Sequence, residues 1–540
     1  MLSTMQDAPL SIGQLLRYGS TVHGDAEVVT WTDTGARRRT YAEVGTRCAQ
    51  LAHALRRLGV TGDQRVGTFM WNNAEHLEAY LAVPAMGAVL HTLNIRLFPE
   101  QLRHVVNHAE DHVIIVDPTL VPLLAPQLPG FTTVEHVIVT GPDASVLEAP
   151  EGVQVHSYDD LLAAESGEFD WPELDERSAA AMCYTSGTTG DPKGVVYSHR
   201  SIWLHSMSVC MTDGMALKQG DMALAIVPQF HAMSWGMPYA AFMIGASLLM
   251  PDRFLQPAPL AEMIVAERPN FAAAVPAIWQ GLLQHLEHSG QDVSMLGNVV
   301  VGGSAVPPSV MHAFEDKHGV SVLHAWGMTE TSPLGSVAHA PAGTSGEEAW
   351  RYRYTQGRFP ASVEARLTDE DGTVLPNDGE TVGELEVRGP WITGSYYGIE
   401  APDSFRDGWL RTGDVGTITP DGFLTLTDRT KDIIKSGGEW ISSVDLENAV
   451  MGHPAVAEAA VIGIPDEKWD ERPLVTVVLK EEVPAALSEI REFLTDKVAK
   501  WQVPENWSKI DEVPKTSVGK FDKKRLRQRF QDGELEIDRF

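Results

Sequence analysis

Short apolar runs that alternate with amphipathic helical stretches constrain this chain more than any other feature. From Thr40 to Val60, the residues Val44, Cys48, Leu51, Leu55 and Leu58 recur at three- and four-residue spacing, behind Thr40 and Glu43 at capping-box spacing. That pattern predicts a helix. Arg65 to Met70 reads as a strand and Ala74 to Met86 as the next helix. Val113 to Val116 and Val137 to Val139 are β-branched runs bounded by Asp, Pro and Gly, and the alternation continues to Val299–Gly302. Strands separated by helices pair in parallel and are covered on both faces, so an α/β body is expected. After about Gly357 the pattern changes. Segments 361–368, 383–388 and 415–427 alternate between Gly-Asp and Pro-Asp turns and predict antiparallel hairpins. A further module begins near Asp428, with strands at 456–463 and 473–479. A helix is expected from about Ala486 to Trp501, with Leu487, Ile490, Leu494, Val498 and Trp501 as its stripe.

Charge narrows the class of ligand. The chain has 540 residues, with 73 acidic and 42 basic side chains and a formal charge of −31. That field repels phosphate backbones and anionic lipid, so generic nucleic-acid binding is not expected, and an anionic ligand must meet locally clustered bases or backbone amides. The three cysteines, Cys48, Cys183 and Cys210, are widely spaced, as reduced thiols of a cytoplasmic protein would be, and no signal peptide is visible. Met222 to Pro251 lacks Asp, Glu, Lys and Arg, but Pro228, Gly236, Pro238 and Gly245 interrupt any single helix. A buried strand, a loop and a buried helix are expected there, and no membrane span.

The segment Tyr184-Thr-Ser-Gly-Thr-Thr-Gly-Asp-Pro-Lys193-Gly194 packs small and hydroxylated residues into a loop rich in free N–H groups. Such a loop wraps phosphate oxygens, and Lys193 adds charge. It is not the P-loop pattern, because the Lys follows Asp-Pro rather than preceding Ser or Thr. Four more motifs follow in order: Trp326-Gly-Met-Thr-Glu330, Trp409-Leu-Arg-Thr-Gly-Asp414, Asp428-Arg-Thr-Lys-Asp-Ile-Ile-Lys-Ser-Gly-Gly-Glu-Trp-Ile441, and Pro514-Lys-Thr-Ser-Val-Gly-Lys520. Together they resemble the signatures of the adenylate-forming superfamily, which comprises acyl- and aryl-CoA synthetases, peptide-synthetase adenylation domains and firefly-type luciferases. The resemblance runs from about residue 180 to the C-terminus.

The resemblance implies AMP-forming activation of a carboxylate by ATP, with release of pyrophosphate, and transfer of the acyl group to CoA. It implies a fold of layered α/β subdomains with a β-rich portion at 1–428, a hinge at 429–433 containing Lys431, and a small mobile α+β domain at 434–540. The nucleotide contacts it implies are Thr185, Ser186, Gly187, Thr188, Thr189, Gly190 and Lys193 for phosphates, and Gly303, Ser304, Ala305, Trp326 and Gly327 near adenine. Thr329 falls to the α-phosphate, and Asp414 and Arg429 to the ribose. Glu330 is the implied Mg²⁺ ligand, in keeping with that ion's preference for hard oxygen donors. Lys520, Thr185, Lys193 and His231 form the implied catalytic set, with His231 a gate rather than a base. Gly437, Gly438 and Glu439 are expected to line the pantetheine path, with Lys523 and Lys524 on CoA phosphates. Trp326 departs from the Tyr usual at its position but keeps an aromatic face.

His231, Trp235, Gly302, Trp326 and Pro333 are the expected acyl-site residues. Trp235, Trp326 and Pro333 are bulky and shorten a tunnel. The overall pattern looks like the medium-chain acyl-CoA synthetase branch and is similar to bacterial ligases of 3-methylmercaptopropionate. A fatty acid of roughly four to eight carbons is the alternative. Loading of a carrier protein is the alternative of another class, and homodimers are common in the family. The division of labour is testable. Lys520→Ala is expected to cripple pyrophosphate release but largely spare thioester formation from pre-made acyl-adenylate, and bulky replacements of Gly437 to slow mainly the second step. Equal loss of both half-reactions in Lys520→Ala refutes the assignment.

Overall fold

In the computed structural model, all residues are described except 2, 142–143, 149, 186–190, 437–438, 467, 481–482, 484 and 517–520; for 439 and 440 only the backbone is described. Among the described residues the strands form sheets of fourteen, seven and six. The seven-stranded sheet runs in the order Gln154–Ser157, His136–Val139, Asp111–Val116, Arg65–Phe69, Val89–Thr92, Ala179–Tyr184, Gly194–Ser198. Its pairs are parallel except the last, a hairpin closed by the segment after Tyr184. The large sheet has a parallel half, from Ser321–Gly327 through Asn298–Val301, Phe271–Ala274, Met222–Leu224 and Ser247–Met250 to Glu27–Thr32. Beyond Ser321–Gly327 it turns antiparallel through Leu334–Val337, Gly357–Arg358, Phe423–Arg429, Trp409–Ile418, Gly383–Arg388 and Glu364–Thr368.

Alternation along each strand sets the layers. Ile138 points into a core that contains Val300 and the helices Ile12–Val22, Tyr41–Arg57, Ala74–Ala85 and Met237–Ile244, while Val137 and Val139 face an outer core with Leu102 and Val105. Val299 and Val301 face a second outer core with Leu260, Trp279 and Phe314. Strands apolar on both faces thus sit between helical layers on both sides, as β-branched runs without alternation require. The predicted helix at Thr40 is present as Tyr41–Arg57, with the reciprocal capping box of Thr40 and Glu43. The uncharged stretch 222–251 is a strand, a turn, a short helix and a strand, and no described helix is long and apolar enough to cross a membrane.

The C-terminal sheet centres on the hairpin Val456–Asp466 and Asp470–Leu479, longer than the runs predicted at 456–463 and 473–479. One prediction fails here. The helix expected to reach Trp501 ends at Leu494. Lys497 and Val498 N–H groups both donate to the Leu494 carbonyl in a closing turn, and Trp501 is exposed with its carbonyl taken by Arg472. Val498 still packs on the core, so the apolar periodicity outlasts the helix.

The central helical layer carries a buried charge cluster. Glu78 accepts from Arg39 and Arg47, each at 2.7 Å, and from the Tyr158 hydroxyl at 2.7 Å, with its side chain fully buried. This pins the hairpin strand Gly35–Thr40 and two helices to one carboxylate. Removing one member of such a set strands the others without water. Glu78→Ala is therefore expected to destabilise the N-terminal body by about 3–5 kcal/mol, read from its urea unfolding midpoint. A loss below about 1 kcal/mol, the scale of an exposed pair, excludes that role.

Candidate active site

A cleft of about 520 Å³ opens beside the antiparallel half of the large sheet, and a second cavity of about 470 Å³ adjoins it. The first brings together Thr185, Lys193, Trp326, Thr329, Glu330, Arg429 and Lys431, and His231, Trp235, Gly302 and Pro333 also line it. The second holds Gly303, Ser304, Ala305, Gly327 and Asp414, and shares Trp326 and Arg429 with the first.

Thr185 follows the strand Ala179–Tyr184, and Lys193 precedes its hairpin partner. The Thr185 N–H donates to the Lys193 carbonyl at 2.9 Å, and the Lys193 N–H donates to Thr185 Oγ1 at 3.1 Å. The two ends of the motif are thereby clamped. Ser186, Gly187, Thr188, Thr189 and Gly190 between them lie outside the described residues. Lys193 Nζ sits 4.7 Å from the centre of the Tyr396 ring, a cation–π contact. The Tyr396 hydroxyl donates to Glu330 Oε1 at 2.8 Å, and the Tyr197 hydroxyl donates to the Thr329 carbonyl at 2.7 Å. Burial pushes the Glu330 carboxyl above its ordinary range, against the Tyr396 hydrogen bond and the charges of Arg429 and Lys193. Burial and the Glu330 charge raise the Tyr396 hydroxyl, so it remains a donor. Tyr396 is absent from the sequence-level site because nothing in Gly-Ser-Tyr-Tyr-Gly marks one tyrosine.

Register places Asp414 beside Arg429. Asp414 lies directly opposite Arg429 in the antiparallel strands Trp409–Ile418 and Phe423–Arg429, and Arg429 Nε is 3.2 Å from Asp414 Oδ1. The other oxygen, Oδ2, accepts the Trp326 indole N–H at 2.8 Å. Trp326 is thus more than an aromatic wall: its N–H orients the carboxylate, which a Phe ring cannot do. The indole lies flush against Gly335, where a Cβ would come within 2.2 Å of the ring. His324 lines the second cavity beside Ser304, with a buried Nδ1 that has no hydrogen-bond partner among the described residues, and burial lowers its pKa to about 4.

The wall of the first cleft that carries Trp235 rests on strained backbone. Ala232, Met233, Ser234 and Trp235 all have positive φ, between 42° and 56°, followed by Gly236 at 74°. Left-handed residues other than Gly cost about 1–2 kcal/mol each, so the surrounding packing must hold this turn. Ser234 Oγ donates to the Val227 carbonyl at 2.8 Å, and a Cβ at Gly236 would meet the His205 ring at 2.5 Å. The turn sets the Trp235 indole against Gly302, where a Cβ would lie 3.3 Å from it. Met215 and Met328 line the same cleft, and neither was singled out by the sequence.

Gly437, Gly438 and Lys520 lie outside the described residues, as does the side chain of Glu439, whose backbone begins the strand Glu439–Ile441. Lys523 lines the second cavity. Its ammonium bonds Glu447 at 2.8 Å and Ser443 Oγ inside the C-terminal domain, with 11% of its side chain exposed. Lys524 lines the second cavity. At the junction of the two domains, Asp428 accepts from the Ser443 N–H at 2.7 Å, and Arg527 donates to Asp432 at 2.7 Å and to the Lys431 carbonyl at 3.1 Å. Burial lowers the Lys431 ammonium from its ordinary value.

A clamped hydroxyl-rich hairpin, a buried carboxylate beside two cations, and an oriented aspartate next to glycines define an enzyme that binds an adenine nucleotide. The comparisons agree: residues 17–397 match the AMP-binding enzyme family and residues 445–520 match its C-terminal domain, so the chain belongs to the AMP-binding enzymes. It is 43% identical over 538 residues to the 3-methylmercaptopropionyl-CoA ligase of Ruegeria lacuscaerulensis, covering 98% of this chain and 99% of the relative. It is 44% identical over 537 residues to the long-chain-fatty-acid–CoA ligase of Thermus thermophilus, covering 98% and 97%. The crystal structure of an anthranilate CoA ligase with anthranoyl-AMP shares the fold, at a TM-score of 0.88 and 24% identity, over 98% of this chain and 100% of that one.

Trp326→Phe keeps an aromatic face but deletes the N–H on Asp414. A hydrogen bond to a charged group contributes about 1.5–3 kcal/mol. The KM for ATP in pyrophosphate release is therefore expected to rise about tenfold or more, with kcat falling less. An unchanged KM means that the indole N–H does not orient Asp414.

Proposed function

We infer that the protein is an AMP-forming acid–CoA ligase whose preferred acid is 3-methylmercaptopropionate. The observation that carries the reading is the convergence of Lys193, Glu330, Asp414, Arg429 and Trp326 on two adjoining cavities that share Trp326 and Arg429, with Trp235 at the apolar end of the first. In the first half-reaction a carboxylate oxygen attacks the α-phosphorus of ATP, and the bond to the bridging oxygen breaks with loss of pyrophosphate. The obstacle is bringing two anions together, so charge neutralisation and alignment supply most of the rate. Lys193 and the hairpin loop from Thr185 to Gly190 hold the outer phosphates, Thr329 the α-phosphate, and Asp414 and Arg429 the ribose. Lys520 places its ammonium between the reacting anions.

Glu330 suits Mg²⁺: it is a buried carboxylate that has accepted one hydrogen bond, from Tyr396, and sits where phosphate oxygens complete a hard-donor set. When bound, the ion neutralises phosphate charge. In the second half-reaction the CoA thiolate attacks the acyl carbon and AMP leaves. Lys431 is the hinge about which residues 434–540 turn, withdrawing Lys520 and bringing Gly437, Gly438 and Glu439 to line the pantetheine path, with Lys524 toward the CoA phosphates. His231 gates the acyl side. No base is required, because the acid is already ionised.

A compact acyl end with Trp235, Trp326, Met215 and Met328 favours a short acid bearing a polarisable thioether, and the 43% identical Ruegeria ligase is named for that acid. A fatty-acid substrate is the second reading, favoured by the 44% identical Thermus relative. The free cysteines Cys48, Cys183 and Cys210 fit a cytoplasmic setting, and we propose a homodimer by analogy with the family.

Pyrophosphate release across carboxylates from acetate to palmitate, with and without CoA, tests the reading. A maximum at 3-methylmercaptopropionate with thioester product is expected. A maximum at long chains means that Trp235 does not close the pocket, and adenylation with no CoA thioester overturns the ligase assignment.

A further inference from the structure

The far end of the seven-stranded sheet carries a cluster that the ligase reaction does not use. Three neighbouring parallel strands, Asp111–Val116, His136–Val139 and Gln154–Ser157, contribute His112, His136 and His156, and Glu135 precedes the middle strand. The N–H of Glu135 donates to the His112 carbonyl at 3.0 Å, and that of Gln154 to the Glu135 carbonyl at 2.9 Å, so the strand starts are locked side by side. Thr185 leaves the same sheet from the opposite, C-terminal ends of its strands. One strand of this sheet is about 15–20 Å long, which separates the cluster from the nucleotide cleft.

We propose that His112, Glu135, His136 and His156 form a binding site for a borderline divalent transition metal of the Zn²⁺ class. Ligand atoms of His112, Glu135 and His136 lie within 4.8 Å of one another. His136 Nδ1 and His156 Nε2 are 3.2 Å apart, close to the spacing of about 3.4 Å between two nitrogens bound tetrahedrally at 2.0–2.1 Å. His112 Nε2 faces the Leu58 carbonyl at 3.4 Å, which turns Nδ1 toward Glu135 Oε1 at 3.9 Å. A cation fits between that nitrogen and the carboxylate, and a backbone carbonyl behind a metal-bound histidine is the usual second support.

Surrounding charge permits such an ion. Arg57, the cation nearest His156, is neutralised by Glu165 at 2.8 Å. Imidazole selects Zn²⁺, Ni²⁺ or Cu²⁺ over Mg²⁺, so the site is chemically separate from Glu330. An ion there ties the edge strand Gln154–Ser157 to the middle of its sheet and stabilises the folded body by mass action.

The test is calorimetric titration of tag-free, chelator-treated full-length protein with ZnCl₂ alone, followed by Co²⁺ absorption spectra. One saturable site is expected, with a raised thermal unfolding midpoint and visible bands of tetrahedral Co²⁺. His136→Gln and Glu135→Gln are each expected to weaken Zn²⁺ binding at least about tenfold, while Glu330→Gln leaves it unchanged. Glu135 is a mostly exposed side chain, so that variant carries the test if His136→Gln does not fold. Absence of saturable binding, binding undiminished in Glu135→Gln, or binding lost in Glu330→Gln overturns the proposal.

Discussion

The pairing of Asp414 with Arg429 is the contact on which the rest of the site depends. It is a cross-strand pair in the antiparallel half of the large sheet, and its second oxygen is fixed by an indole N–H from the last parallel strand. A carboxylate held at both oxygens cannot rotate, so its remaining lone pairs point in set directions. The same pair joins the parallel body, the antiparallel extension and the segment leading to the C-terminal domain. Arg429 closes one strand, and Thr430 and Lys431 follow at once.

Around that anchor the protein manages charge by burial and counter-charge. The chain is strongly acidic overall, yet the buried carboxylate of Glu330 in the cleft feels the charges of Arg429 and Lys193. Inside a low-dielectric cleft such groups act more strongly than at the surface. Tyr396 links two of them: its ring faces Lys193 and its hydroxyl holds Glu330. The wall that carries Trp235 follows a different logic. There the shape is set by four non-glycine residues in left-handed backbone, a strain retained where the packing over-determines it.

Much of the fold was legible from local pattern. The capping box at Thr40, the β-branched strands and the hairpins after Gly357 follow from short-range rules, and those elements are where the pattern puts them. The helix from Ala486 failed for a tertiary reason, because its stripe continues to pack after the backbone has turned at Leu494. In the site, Lys193, Glu330, Asp414 and Arg429 were expected from the family resemblance of their motifs, and they line the two adjoining cavities. Tyr396, Met215, Met328 and His324 were not, since each is unremarkable among its sequence neighbours. Nor does a basic run reveal that one of its lysines, Lys523, pairs with Glu447.

The sequence by itself determined the layered α/β body, the order of the nucleotide motifs and the membership of the chain in the AMP-binding enzymes, because helix, strand and loop chemistry are written in residues close along the chain. Tertiary structure alone decided which side chains meet. Trp326 reaches Asp414 across 88 residues and Tyr396 reaches Glu330 across 66. Those contacts depend on strand register and sheet twist, which the residue pattern constrains only collectively, so the geometry of the site emerges when the layers pack.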